Sequence, residues 1–258
     1  MPTIDHHPTS RFPARVRTSG FLVAVAALSA ALLPATATLA APPAKKVFEY
    51  TFDAAPAGVV SDTTGKGHAL TLNGAWESAS GVTSGVNGGA VSFALPSFGN
   101  SPAKSDLNPG ASEFAVTAVF RVGGNLAGLG DTPNIAQKGF FNDPGQWKMQ
   151  LKPSTGSVQC RFRGSSGAAL VTSPVTGIDD GGWHTAACWR TSSELGVTVD
   201  GVRTTSPGTV GSISTTRPLR VGGKSLSATS DQFVGSLDYL SFAVGAKAEA
   251  VGRKAAPS

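Results

Sequence analysis

The feature that most constrains the fold is a pair of alternating runs that ends in an Asp-Gly turn. Residues 183–190 read WHTAACWR, residues 197–199 read VTV, and Asp200-Gly201 follows directly. Alternation of apolar and polar side chains is typical of a strand with one buried face. Asp-Gly favours a type I′ turn, whose two central residues both need positive φ. The pattern therefore predicts consecutive antiparallel strands, with a hairpin at Asp200-Gly201.

Similar short runs recur along the chain, separated by Gly, Pro, Asn and Asp. In the clearest one, 113–122, alternation places Phe114, Val116 and Phe120 on one face. Many such runs at short spacing are typical of an all-β sandwich. The predicted strands are 47–52, 68–72, 90–95, 113–122, 134–138, 146–151, 157–162, 168–172, 183–190, 196–199, 219–222 and 233–244.

The first 40 residues are interpreted as a secretory signal peptide. Arg11, Arg15 and Arg17 precede an apolar run at 21–34, and small residues up to Ala40 supply the cleavage site. The run is shorter than the roughly 20 residues that span a bilayer, although an uncleaved anchor is the alternative. The remaining chain divides into a leader at 41–46, one domain at 47–244 and a flexible tail at 245–258. We expect no transmembrane segment after cleavage and an extracellular location.

Charge and cysteine content indicate what kind of protein this is. Beyond residue 40, 18 Lys and Arg face 15 Asp and Glu, and the basic residues are dispersed. Such a surface does not favour nucleic-acid binding. Cys160 and Cys188 are the two cysteines, and export would place them where disulfides persist. We predict that they pair, the alternative being two buried thiols.

The order of several weak motifs resembles one family. The sequence reads FEYTFD at 48–53, DTTGKGH at 62–68, VNGGAVSF at 86–93, IAQKG at 135–139, WH at 183–184, VDG at 199–201, LRVG at 219–222 and FVGSLD at 233–238. Together these motifs resemble the laminin-G-like, concanavalin A-like domains over residues 47–244. The resemblance implies an all-β, two-sheet antiparallel jelly-roll sandwich.

The resemblance also implies one structural calcium ion near the first and last strands. Asp238 and Asp53 would supply carboxylates, and a backbone carbonyl near Gly89 would add to them. Calcium binds six to eight oxygen ligands, which often include carbonyls and waters. The alternative for Asp238 is a carboxylate that caps backbone N–H groups.

A glycan site needs exposed aromatic rings beside polar groups. The loop 140–147 supplies both kinds in Phe141, Asn142, Asp143 and Trp147, which we predict to bind ligand. A core position is the alternative for Trp147 and the expectation for Trp183 and Trp189, which share one face of their strand.

Signatures of catalysis are missing from the sequence. It contains neither the Glu-x-Asp-x-Glu string of jelly-roll glycan hydrolases nor a Gly-x-Ser-x-Gly elbow. His184 is interpreted as structural.

The expected function is therefore non-catalytic recognition by a secreted monomer, with an extracellular glycan or protein as partner. The alternatives are a polysaccharide hydrolase or lyase with a non-standard site, and an adhesion module without a small ligand. Fold alone does not decide among them.

Overall fold

The alternating runs of the sequence form antiparallel strands in a computed structural model. It describes residues 43–248 except 80–85, 87, 123, 125, 127–128, 131, 228–229 and 246. The predicted signal peptide lies outside these residues. The strands are β1 Lys45–Tyr50, β2 Val59–Val60, β3 Leu70–Ala79, β4 Ala90–Ser101, β5 Phe114–Val122, β6 Asn134–Lys138, β7 Gln146–Lys152, β8 Ser157–Gly164, β9 Gly167–Thr172, β10 Trp183–Arg190, β11 Glu194–Val199, β12 Val202–Pro207, β13 Leu219–Val221 and β14 Gly235–Val244.

Helical structure in the described residues is confined to short pieces. Single 3₁₀ turns span Pro56–Gly58 and Ser105–Leu107. No helix in this part of the chain has the length and apolar character needed to cross a bilayer.

The strand order is β12-β11-β10-β5-β14-β4-β13-β6-β7-β8-β9. Three further pairings lie off this path. Strand β1 pairs with β14, β3 pairs with β4, and β2 pairs with β3. All of these pairings are antiparallel. Hydrogen bonding therefore runs continuously through β4 and β13, where the sequence predicted two separate sheets. The all-β antiparallel sandwich itself is confirmed.

The two ends of this strand order pack against each other. Strands β10 and β11 contact β7 and β8, and β12 contacts β9, without sharing backbone hydrogen bonds. A disulfide between Cys160 of β8 and Cys188 of β10 crosses this interface, with Cα atoms 5.4 Å apart. The predicted pairing of the two cysteines is confirmed.

The main core lies between these packed faces. On β5, alternation holds as predicted, and Phe114, Val116 and Phe120 contribute to the core. The hairpin also agrees with the prediction, since Asp200 and Gly201 have φ of 46° and 82°.

A second, smaller apolar cluster lies apart from the main core. Trp189 is its large member and packs with alanines of β5, β10 and β14. Trp183 was expected to be buried in the core like Trp189, but it is only partly buried. The cation of Arg121 covers its ring at 5.1 Å.

Several strand boundaries differ from the sequence-based ones, and strands β2 and β12 are not among the predicted ranges. Strand β1 begins at Lys45, within the segment interpreted as a leader. Strand β4 continues past Pro96 to Ser101. Proline usually ends a ladder because it lacks an N–H donor, and the Leu95–Pro96 bond here is cis.

Candidate functional site

A pocket of about 390 Å³ lies on the outer face of strands β6–β9. We call it the β6–β9 pocket. Its floor is polar and is formed by Gln137, Gln146, Lys148, Gln150, Gln159 and Arg161. Its remaining lining consists of Thr132, Phe141, Leu170, Lys224 and Asp231.

Strand alternation explains why this face is polar. Trp147, Met149 and Leu151 of β7 point into the core. The side chains between them, Gln146, Lys148 and Gln150, therefore point away from the core. The same applies to β8, where Val158, Cys160 and Phe162 enter the core while Gln159 and Arg161 face the pocket.

The glutamines of the floor are buried and mostly paired with neighbouring strands. Gln150 donates to Gln159 at 2.9 Å, and Gln159 donates to the Thr172 hydroxyl at 3.0 Å. Gln137 differs from them. Its side chain is 1% exposed, and its Nε2 has no hydrogen-bond partner. Buried polar atoms are rarely left unpaired, so this amide is a candidate ligand contact.

An ion cluster closes one side of the pocket. Lys148 Nζ lies 2.6 Å from Asp231 Oδ1, and Lys224 Nζ lies 2.6 Å from Asp231 Oδ2. The Thr132 hydroxyl donates to Asp231 Oδ1 at 2.6 Å. Burial raises the pKa of Asp231, but the charge and hydrogen bond of Lys148, with the hydrogen bonds of Lys224 and Thr132, outweigh it and lower that pKa to about 2. Burial lowers the pKa of Lys148, against the pull of Asp231.

An exposed aromatic ring forms the opposite rim. Phe141 is 67% exposed, and the guanidinium of Arg161 lies 4.1 Å from its ring centre. Asp143 holds the base of this loop by accepting the Phe140 N–H at 2.9 Å and pairing with Arg217 at 3.1 Å. The backbone N–H and the Arg217 cation overcome the effect of burial and lower the pKa of Asp143.

The four residues predicted to bind ligand have different positions. Phe141 lines the pocket, and Asn142 and Asp143 follow it in the same loop. Trp147 is 1% exposed and stacks on Phe242 with ring centres 5.2 Å apart. Its indole therefore belongs to the core and presents no face to a ligand.

The three residues predicted to bind calcium lie near one end of β14. The Gly89 N–H donates to Asp53 Oδ1 at 3.0 Å, and the register of β14 with β4 brings Asp238 next to the residues that follow Gly89. Asp238 is fully buried. Two carboxylates with nearby carbonyls suit an oxygen-preferring ion, although no cluster of three His, Cys, Asp or Glu occurs among the described residues. Calcium binding stays a prediction.

Both histidines in the described part of the chain are bonded to carboxylates. His184 Nδ1 lies 2.7 Å from Asp200, and its Nε2 lies 3.1 Å from Asp180. His68 is buried, and its Nε2 lies 2.9 Å from Asp106. Since both ring nitrogens of His184 face carboxylates, neither is directed at a nucleophile.

Part of the chain matches the model of a known domain family. Residues 138–243 match the model of the laminin G domain. The resemblance is therefore confirmed over this segment, which is laminin-G-like. The curated proteins contain no match to the sequence.

Solved structures share the fold at low sequence identity. Domain 4 of AbnA, a GH43 extracellular arabinanase from Geobacillus stearothermophilus solved with arabinotriose, is 19% identical with a TM-score of 0.59. That alignment covers 79% of this chain and 94% of that domain.

Two toxin domains are similar as well. The binding domain of Paraclostridial Mosquitocidal Protein 1 is 15% identical with a TM-score of 0.60, covering 76% of this chain and 48% of that one. The botulinum neurotoxin type G receptor binding domain is 11% identical with a TM-score of 0.54, covering 77% and 47%. The chain spans about half the length of these two proteins.

Proposed function

We propose that this protein is a non-catalytic carbohydrate-recognition module that binds an oligosaccharide in the β6–β9 pocket. The observation that carries the proposal is the combination of a buried polar floor with apolar side chains at the rim. Sugars present hydroxyl groups, which need directional polar partners, and C–H faces, which pack on apolar surfaces. Glutamines supply the first kind of contact, and Phe141 and Leu170, 67% and 52% exposed, supply the second.

The charge arrangement favours binding over hydrolysis. Glycosidases commonly use a pair of carboxyl groups on either side of the scissile bond. Of the residues that line the pocket, Asp231 carries the single carboxylate, and two lysines already pair with it. The hydrolase alternative therefore has less support from this pocket.

The fold adds support of a weaker kind. A domain of the same fold, in the arabinanase, was solved with a bound trisaccharide. A secreted role is consistent with the disulfide and with the predicted signal peptide. We also propose the two-sheet jelly-roll class for the sandwich, in which the continuous strand order folds into two packed faces.

The experiment is a binding screen of the full chain against oligosaccharides that include arabinan, xylan, mannan and galactan fragments. Binding to at least one of them is expected, and Gln159→Ala should weaken it because this side chain links β8 to β9 in the floor. Thr205→Ala, on exposed β12, is the matched control and should bind like the wild type. Equal loss in both variants would contradict the proposal. Absence of binding to these neutral oligosaccharides would contradict it only together with absence of binding to acidic ones.

We also propose that Asp53, Asp238 and a carbonyl near Gly89 hold a structural calcium ion. The support is the fully buried carboxylate of Asp238 beside the Asp53–Gly89 contact. Calcium should then raise the thermal midpoint of the wild type above its value in chelator. The same midpoint in Asp238→Asn should not respond to calcium, and a wild type that ignores calcium would refute the site.

A further inference from the structure

We propose that the saccharide in the β6–β9 pocket carries an anionic group, a carboxylate or a sulfate, which Arg161 and Lys224 bind and Gln137 contacts. This inference rests on the proposed function and narrows it to acidic sugars. It follows from two independent observations, the charge balance of the pocket and its unused hydrogen-bond donors.

The pocket has more positive than negative groups. Lys148, Arg161 and Lys224 line it together with one carboxylate, Asp231. Each oxygen of Asp231 is already 2.6 Å from a lysine. One net positive charge therefore lies at the two lysines and another at Arg161.

Arg161 itself has only neutral contacts among the described residues. Its guanidinium donates to Gln146 Oε1 and to the Phe141 carbonyl, and it lies over the Phe141 ring. Arg163, two residues along the same strand, adds positive charge and lowers the pKa of Arg161 beyond the effect of burial. A partly buried guanidinium with no counter-charge is well matched to an anion, which it can bind through two parallel N–H donors.

The pocket contains hydrogen-bond donors that are not fully used. Gln137 Nε2 is buried without an acceptor, and the guanidinium and ammonium groups can only donate. A sugar hydroxyl both donates and accepts, whereas an ionised carboxylate or a sulfate only accepts. Cationic donors in the pocket therefore favour an acidic sugar over a neutral one.

The test compares matched polymers that differ only in charge. The full chain is titrated with polygalacturonate and its fully methyl-esterified form, and separately with dextran sulfate and dextran. The first pair isolates the carboxylate, and the second isolates the sulfate. We expect at least one acidic member to bind roughly tenfold more tightly than its neutral partner, as for one additional charge-assisted hydrogen bond.

Charge-neutralising variants locate the effect. Arg161→Gln should remove most of the preference for the acidic polymer, and Lys224→Gln, at the partly exposed rim, provides a second variant that tests the same pocket. Lys45→Gln removes the same charge from exposed β1 and should keep the preference.

The outcomes separate the two proposals. Equal or tighter binding of the neutral members would overturn the anionic inference and leave carbohydrate recognition intact. Acidic binding that Lys45→Gln weakens as much as Arg161→Gln would also overturn it, because general surface attraction would then explain it. Absence of binding to all four polymers and to the neutral oligosaccharide screen would instead reject the proposed function.

Discussion

The guanidinium of Arg161 lies 4.1 Å from the centre of the Phe141 ring, with the ring itself 67% exposed. This contact couples the strand floor of the pocket to its loop rim. One face of Phe141 is fixed by the cation, so the ring is oriented before any ligand arrives. Preorganisation of this kind reduces the entropy lost on binding.

Phe141→Ala should weaken oligosaccharide binding about fivefold to tenfold, since aromatic packing of this kind contributes roughly 1 kcal/mol. Stability should change little because the ring is mostly exposed. Titration calorimetry and thermal unfolding would check the two effects. Val202→Ala, an exposed apolar residue on β12, is the control. Unchanged affinity in Phe141→Ala would exclude the ring from the site.

Replacement of the disulfide should lower stability without changing the fold. Cys160 and Cys188 are 28 residues apart, and loop entropy gives about 3–4 kcal/mol for a loop of this size. Urea unfolding of Cys160→Ser/Cys188→Ser would measure the loss. A reductant should destabilise the wild type and leave the double variant unaffected. Equal stability of the two proteins would show that the packed faces do not need the link.

Gly196→Ala should destabilise β11 by about 1–3 kcal/mol, the usual cost of overpacking. A Cβ atom at this position would lie 1.9 Å from the Trp189 ring, and the Arg203 guanidinium lies 3.8 Å from the centre of that ring. Chemical unfolding would give the value. In a Trp189→Leu background, Gly196→Ala should lower the unfolding free energy by less than in the wild type, because the clash with the indole ring is absent. Equal costs in both backgrounds would contradict this account.

His184 should make stability depend on pH. Burial lowers the pKa of His184, but Asp200 and Asp180 outweigh burial and raise that pKa above 6.5. The stabilisation is therefore fully present below pH 6.5 and is lost as the pH rises through the folded-state pKa. The difference in unfolding free energy between wild type and His184→Gln should be larger at pH 5.5 than at pH 8.5. A difference that does not vary with pH would contradict a stabilising role for the contacts of His184 with Asp180 and Asp200.

Asp231→Asn should destabilise the fold more than Lys224→Gln does. It leaves the buried ammonium of Lys148 without its counter-charge, for which about 3–5 kcal/mol is typical. Lys224 is 35% exposed, so its loss should cost about 1 kcal/mol or less. In the wild type, the stabilisation from Asp231 is present above its unfolded pKa and is lost as the pH falls toward 2. Urea unfolding at pH 7 and pH 3 tests both statements. Equal losses of unfolding free energy in the two variants would contradict the first, and a wild-type stability gain from Asp231 that is unchanged at pH 3 would contradict the second.

Local sequence determined most of the strands and the hairpin. Alternation in 134–138 and 183–190 matches β6 and β10, and Asp200-Gly201 forms the predicted turn, because strand period and turn φ depend on neighbouring residues alone. The cysteine pair followed from the count of two and the expected compartment.

The alternation of side chains in β7 and β8 could also have indicated the pocket from the sequence. Polar side chains at 146, 148 and 150 and at 159 and 161 share the outer faces of two predicted strands. Sequence reasoning followed the aromatic residues of the neighbouring loop instead, and it therefore selected Trp147, which packs inward.

Only the tertiary structure decided which distant residues meet. Asp231 lies 83 positions from Lys148, and Gln137 and Arg161 come from strands on either side of β7. Strand order and sheet curvature depend on the packing of the whole core, which no local pattern encodes. The sequence by itself thus determined the strands and their faces, while the tertiary packing of those strands created the pocket and its charge.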